Sequence, residues 1–313
     1  MTDFFMVKRF KPPRMSKHLE NRPENQALSI SAILLAVFTV FLWGLWPVVS
    51  RFSILDSFNP VDIVALRFWV AGIVLLPYLL KKGWGGMSVS SILFASCAGG
   101  MLYVFVALTG LSYAPSGHAG MIIPSTMMSV AVMGSWLIFG DKPSLQKIAG
   151  ILIIVSGIVT TNYVSFDNPV SEKAWVGHLL FIAAGFCWGS FTVAARKAGL
   201  PALHMTAIVS VVSMVVFTPL YFIFGDPKIL ETNLNDVLFQ AIFQGLIISI
   251  LALYTYTKTI ELMGATRAAL FGALVPGFAV LIAYPVLNEI PQAIEILGLV
   301  LVTIGMVVTL RSK

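Results

Sequence analysis

Apolar residues run along this chain in blocks, each closed by a short cluster of charged, glycine or proline residues. A helix of about 18 to 25 apolar residues crosses a hydrocarbon core roughly 30 Å thick. Ten blocks of that size are predicted, near 28 to 50, 60 to 80, 88 to 111, 115 to 139, 145 to 163, 176 to 195, 203 to 224, 237 to 258, 267 to 287 and 293 to 310. Five fall on either side of the polar stretch from Ser165 to Lys173, and the other connections are short.

The two sets of five repeat one another. Phe41-Leu42-Trp43-Gly44 with Val48 and Arg51 returns 145 residues later as Phe186-Cys187-Trp188-Gly189 with Val193 and Arg196. At a spacing of 148, Asp141, Pro143, Ile148, Gly150, Gly157, Val159 and Thr161 match Glu289, Pro291, Ile296, Gly298, Gly305, Val307 and Thr309. Each repeat has an odd number of spans, so the second must enter the bilayer from the opposite side. The predicted fold is an all-α integral membrane protein, ten transmembrane helices as two inverted-topology five-helix repeats. Secondary transporters are built this way, with the substrate at the repeat interface. The predicted units are a cytoplasmic tail (1–27), a first repeat (28–164), a linker (165–175) and a second repeat (176–310).

Composition agrees: 58% of residues are hydrophobic and 11% charged, against about 25% charged in a soluble domain. The basic residues gather at span ends and on no face that could follow a nucleic acid, so the lipid bilayer and a small-molecule substrate are the expected partners, without nucleic acid. Of the twenty Lys and Arg residues, sixteen fall on one side when the N-terminus is inside. By the positive-inside rule both termini are cytoplasmic. The tail, basic and broken by Pro12, Pro13 and Pro23, reads as a segment attracted to anionic lipid. Cys97 and Cys187 both lie within spans and imply neither a disulfide framework nor a metal site. No metal or cofactor is expected.

Candidate chemistry is sparse. No Asp or Glu occupies the middle of a span, which argues against a carboxylate-driven pump. Arg67 lies seven residues past Pro60, about 10 Å into span 2. It suits a substrate carboxylate; snorkelling, or holding the carbonyls of a helix break, is the plainer use. His118 opens span 4, and its repeat counterpart is Thr266, which gives each mouth a hydrogen-bonding group. Pro124 and Pro276 lie nine residues into spans 4 and 9, near the midplane, where a break frees carbonyls that partner helices or cavity water must answer. Spans 4 and 9 are thus candidate cavity walls; kinking for packing is the plainer use. Trp43 and Trp188 lie deeper than an interfacial belt and could face an apolar or cationic substrate, or pack helices together. Tyr103, Tyr254 and Tyr256 add polar atoms on spans 3 and 8. Gly150 and Gly157, like Gly298 and Gly305, are seven apart and share a helix face. Spans 5 and 10 therefore read as packing elements, with a homodimer contact as the alternative use of those faces.

The ten spans, the Trp-Gly pairs, Arg67 in span 2, and Asn288-Glu289 followed by Gly298 resemble the drug/metabolite transporter superfamily in its EamA-type branch, over residues 28 to 310. Two positions depart from that pattern: Asp141 replaces a glutamate, and Met128 stands where the first repeat often has proline. The resemblance implies a central cavity lined mainly by spans 3, 4, 8 and 9, with 5 and 10 outside. It also implies ATP-independent efflux of amino acids or related compounds across a bacterial inner membrane. Import or facilitated diffusion is the alternative within transport. A channel is disfavoured by the inverted repeat. An intramembrane enzyme lacks a paired nucleophile and base, since Ser116 and His118 point to different helix faces.

Overall fold

The computed structural model describes residues 29–167 and 173–311. The tail at 1–27 and the middle of the linker lie outside the described residues, within which all regular structure is helical. The first half contains α1 (Ile30–Asp56), α2 (Pro60–Lys82), α3 (Val89–Leu111), α4 (Ser116–Phe139) and α5 (Leu145–Asp167). The second contains α6 (Ala174–Ala198), α7 (Ala202–Phe224), α8 (Leu234–Met263), α9 (Ala265–Gly272), α10 (Val275–Leu287) and α11 (Ala293–Arg311). Together α9 and α10 make the expected ninth span. Among the described residues nine spans are long and apolar enough to cross a membrane, and a shorter apolar segment, Leu145–Thr161, occupies the place of the fifth.

Packing follows the sequence repeat. α5 packs on α11, α2 on α7 and α4 on α10. The larger of the remaining contacts between halves come in exchanged pairs: α1 with α10 and α8 matches α6 with α4 and α3, and α2 with α8 matches α7 with α3. Close approach at the Trp-Gly pairs explains the motif. A Cβ on Gly44 would sit 2.7 Å from the Cβ of Phe278, and one on Gly189 would sit 2.7 Å from the Cβ of Val130. In the α5–α11 seam a Cβ on Gly157 would meet the Gly298 carbonyl at 2.8 Å, and one on Gly305 the Gly150 carbonyl at 2.7 Å. The glycine faces of spans 5 and 10 are thus filled by each other within one chain. They are not the surface through which two chains would meet.

The midplane breaks depart from expectation. α4 runs unbroken through Pro124. The next residue, Ser125, donates its hydroxyl to the carbonyls of Met121 at 2.6 Å and Ile122 at 3.2 Å, beside the hydrogen bond that proline removes. Of these two spans the ninth is interrupted, at Ala273 and Leu274, and Pro276 then sits in the first turn of α10, where a missing N–H is tolerated. Two further irregularities stand at equivalent places in spans 3 and 8, π-helical segments at Cys97–Met101 and Ala241–Leu251. Gly100 leaves helical geometry altogether (φ −126°, ψ −118°). The hydroxyl of Ser213 on α7 bridges that break, accepting from Met101 N and donating to the Ser96 carbonyl. Periodicity of apolar residues hides such segments because an inserted residue changes the backbone and not the hydrophobicity.

Candidate functional site

Three aromatic side chains and one arginine converge where α1, α2, α3 and α6 meet. Tyr103 stands edge-on to Trp188, ring centroids 4.4 Å apart, and stacks on Trp46 at 6.1 Å. The guanidinium carbon of Arg67 lies 5.7 Å from the centre of the Trp46 ring. Arg67 is 8% exposed, and its Nε and one terminal nitrogen are buried without a hydrogen-bond partner. A cation taken from water without a counter-ion is destabilising by several kcal/mol. A ring face offsets part of that; an anion would offset far more.

Trp43 rests on Tyr256 with centroids 4.9 Å apart. Each repeated tryptophan therefore packs against a tyrosine of the opposite half, Trp188 against Tyr103 and Trp43 against Tyr256. Tyr254 does not join them; at 62% exposed it turns away from the bundle, because two residues along a helix rotate a side chain about 200°. Pro276 is buried and Pro124 partly so, and their helices, α10 and α4, pack against each other.

A buried polar ladder behind the aromatic group was missed by the sequence reading. The indole N–H of Trp46 donates to Gln244 Oε1 at 2.9 Å, and Gln244 Nε2 donates to Ser50 Oγ at 2.9 Å and to Gln240 Oε1 at 3.2 Å. Gln240 Nε2 in turn donates to Ser53 Oγ at 2.6 Å. Both glutamines are fully buried. Two glutamines four residues apart in an apolar span were the available signal, since that spacing places both amides on one helix face.

The repeat-equivalent charges form equivalent ion pairs at opposite ends. Arg51 Nε lies 2.7 Å from Glu289 Oε1, and Arg196 bonds Asp141 at 2.6 Å. Each pair joins the arginine seven residues past the Trp-Gly glycine of one half to the loop carboxylate of the other, so the departure at Asp141 keeps the pairing. Their surroundings differ. Arg51 and Glu289 are each 16% exposed. Arg51 also donates to the carbonyls of Leu111 and Ala114, and Glu289 accepts from the N–H and hydroxyl of Ser116, at 2.9 and 2.7 Å, at the start of α4. Arg196 and Asp141 are 53% and 50% exposed. α4 repeats the contrast: nearly all of Ser116 to Ser125 is buried, Pro124 partly, and no residue from Thr126 to Phe139 is. The bundle is closed at the Arg51 end and looser at the Arg196 end.

His118 sits at the closed end, apart from the aromatic group. Its Nε2 is 2.9 Å from Glu295 Oε1 and its Nδ1 2.8 Å from His178 Nε2. With Arg51, Glu289 and Tyr113 it lines a cavity of about 300 Å³. Neither His178 nor Glu295 was a predicted site residue. They lie 60 and 177 positions from His118, and only packing brings them together.

Crossed halves, a buried cationic aromatic site and paired charges at the two ends define a membrane transporter, and the chain belongs to the EamA-like transporter family, whose sequence model matches it twice, over residues 30–163 and 175–311. Among its relatives is the uncharacterized transporter YetK of Bacillus subtilis, 26% identical over 262 residues, covering 79% of this chain and 77% of that protein. The uncharacterized inner membrane transporter YedA of Escherichia coli K12 is 24% identical over 293 residues, 92% of each chain. A solved crystal structure at 19% identity shares the fold, with a TM-score of 0.60 over 89% of this chain and 96% of that one.

Proposed function

We propose that this protein exports small organic metabolites bearing a carboxylate, amino acids or related compounds, without ATP. The observation that carries the reading is Arg67, a buried guanidinium without a hydrogen-bonding anion, set against Trp46 and beside Tyr103 and Trp188. A substrate carboxylate entering there replaces lost hydration with a charge-assisted, bidentate contact, while the rings receive the apolar remainder. Trp43 and Tyr256 extend the aromatic lining, His118 belongs to one mouth, and Pro124 and Pro276 shape the walls formed by α4 and α10.

In this reading the described helices form ten spans, as two inverted five-helix repeats over 28–164 and 176–310, with both termini cytoplasmic. The exchanged helix contacts and the double family match support the repeats. The excess of basic residues supports the orientation, and the naming of YedA supports a bacterial inner membrane. The Arg51 end then faces outward, and the conformation is closed outside and open inside. Alternating access exchanges one ion pair for the other. Outward direction rests on the family resemblance.

The test is metabolite profiling of medium from cells producing the protein, its Arg67→Gln variant and its Trp43→Ala/Trp188→Ala variant at matched membrane levels. Carboxylates that accumulate outside only with the intact protein bear the proposal out. Export that persists in Arg67→Gln removes the carboxylate site, and media that match an empty-vector control refute export.

A further inference from the structure

The His118 cluster has chemistry that substrate binding at Arg67 does not use. His118 is on α4, His178 on α6 and Glu295 in the first turn of α11, so the three side chains tie together three helices at the Arg51 end. Glu295 borders the cavity, and its second oxygen accepts from the Gln292 N–H at 2.8 Å. Histidine accepts at one ring nitrogen and donates at the other when neutral. If Glu295 is a carboxylate, His118 donates from Nε2 and must accept at Nδ1. His178 then donates from Nε2, leaving its Nδ1 a bare acceptor, and that atom is buried without a partner.

We infer that His118, His178 and Glu295 form a proton-binding site that holds the Arg51 end closed when occupied. One proton can be added with no hydrogen bond lost. It resides on His178 Nδ1 while the Nε2 proton of His178 passes to His118 Nδ1, so that His118 becomes an imidazolium between the Glu295 carboxylate and a His178 that now accepts. The net charge of the trio goes from −1 to 0. The His118–Glu295 contact changes from a neutral donor on a carboxylate to an ion pair, which adds the attraction of opposite charges to the hydrogen bond.

Opening this end must part α4 from its neighbours, because α4 is buried here against α10 and its first turn is held by Glu289. Parting the trio releases the proton, and acid on this side favours the closed state. The other charged and titratable groups facing the cavity are Arg51 on α1, Tyr113 after α3 and Glu289 before α11; Lys173, exposed, precedes the cavity-lining Ala174 of α6. Arg51 and Glu289 neutralise one another, so the trio is left as the group that changes charge. The symmetry of the fold does not extend to this chemistry. At the repeat-equivalent positions stand Thr266 for His118, Ile33 for His178 and Lys147 for Glu295, so the site exists at one end only. The coupling to closure rests on the transport reading; proton binding itself does not.

The test for binding is imidazole ¹⁵N NMR of the purified full-length protein in nanodiscs across about pH 5 to 9. His118 and His178 are expected to change together in one step that takes up a single proton, and Glu295→Gln to weaken that uptake at least tenfold. His204, bonded to the Gly83 carbonyl, serves as the internal control. Independent titration of His118 and His178, absence of titration, or indifference to Glu295→Gln overturns the site. For closure, Ser125→Cys in a Cys97→Ala/Cys187→Ala background is labelled with an impermeant maleimide from the Arg51 side, relative to Lys228→Cys on an exposed loop of that side. A ratio several-fold lower in acid, with the dependence lost in His118→Gln, is expected; a ratio independent of pH overturns the coupling while leaving the NMR result to stand for binding.

Discussion

Glu289→Ala and Asp141→Ala remove the same kind of group from repeat-equivalent positions, and the structure predicts unequal effects. At the Arg51 end the carboxylate caps α4, accepting from Ser116 N at 2.9 Å and Ser116 Oγ at 2.7 Å; losing a cap costs about 1 kcal/mol. It also leaves Arg51 without its counter-ion at 16% exposure. Breaking a fully buried pair costs about 3 to 5 kcal/mol. Arg51 keeps the Leu111 and Ala114 carbonyls, which reduces this to about 1.5 to 3 kcal/mol, the worth of a hydrogen bond to a charged group. The sum is about 2.5 to 4 kcal/mol. Asp141 and Arg196 are half exposed, and such pairs contribute about 0 to 1 kcal/mol; Arg196 also keeps its place over the Phe139 ring, 4.3 Å from its centre. At roughly 2 °C per kcal/mol for a chain of this size, detergent-solubilised Glu289→Ala should melt about 5 to 8 °C below the parent, and Asp141→Ala within about 2 °C. Arg51→Ala/Glu289→Ala should recover part of the loss, since neither partner is left alone. Equal shifts for the two single variants, or a larger one for Asp141→Ala, would refute the claim that one end is sealed.

Arg67→Met removes a buried cation without a counter-ion, so the protein should gain about 1 to 4 kcal/mol of stability while export is lost; thermal melting and medium profiling on the same preparation check the opposite signs. Gly157→Leu drives a side chain into the Gly298 carbonyl and Val302 N, each 2.8 Å from its Cβ; overpacking of about 1 to 3 kcal/mol or more should appear as a lower melting temperature, without an equal effect from Leu at Gly272, where a Cβ meets nothing. Gln244→Leu strands the Trp46 indole N–H and the Gln240 carbonyl, at about 1 to 3 kcal/mol for each buried unsatisfied group. Its signature is a shift of the Trp46 fluorescence together with reduced stability, and retention of both would remove the ladder from the account of how Trp46 is held.

Much of this protein was fixed by one-dimensional patterns. Apolar block length sets the spans because the bilayer core has one thickness, and the offsets of 145 and 148 residues made the halves and their Trp-Gly pairs visible. Glycines seven apart marked the α5–α11 seam, since that spacing returns to one helix face. Tertiary structure decided what those residues meet. Arg67 in the sequence read more simply as a snorkelling or helix-break residue than as a ligand contact; its burial beside Trp46 without a hydrogen-bond partner favours the ligand. His118 read as an isolated mouth residue until α6 and α11 brought His178 and Glu295 to it. Tyr254 and Tyr256 are indistinguishable by composition, yet helix rotation sends one outward and the other onto Trp43. The π segments and the continuity of α4 through Pro124 depend on who satisfies the freed carbonyls, which is a property of neighbours in space. The sequence repeat makes the two ends chemically alike at Arg51–Glu289 and Arg196–Asp141; only packing, which buries one pair and leaves the other in water, makes them different.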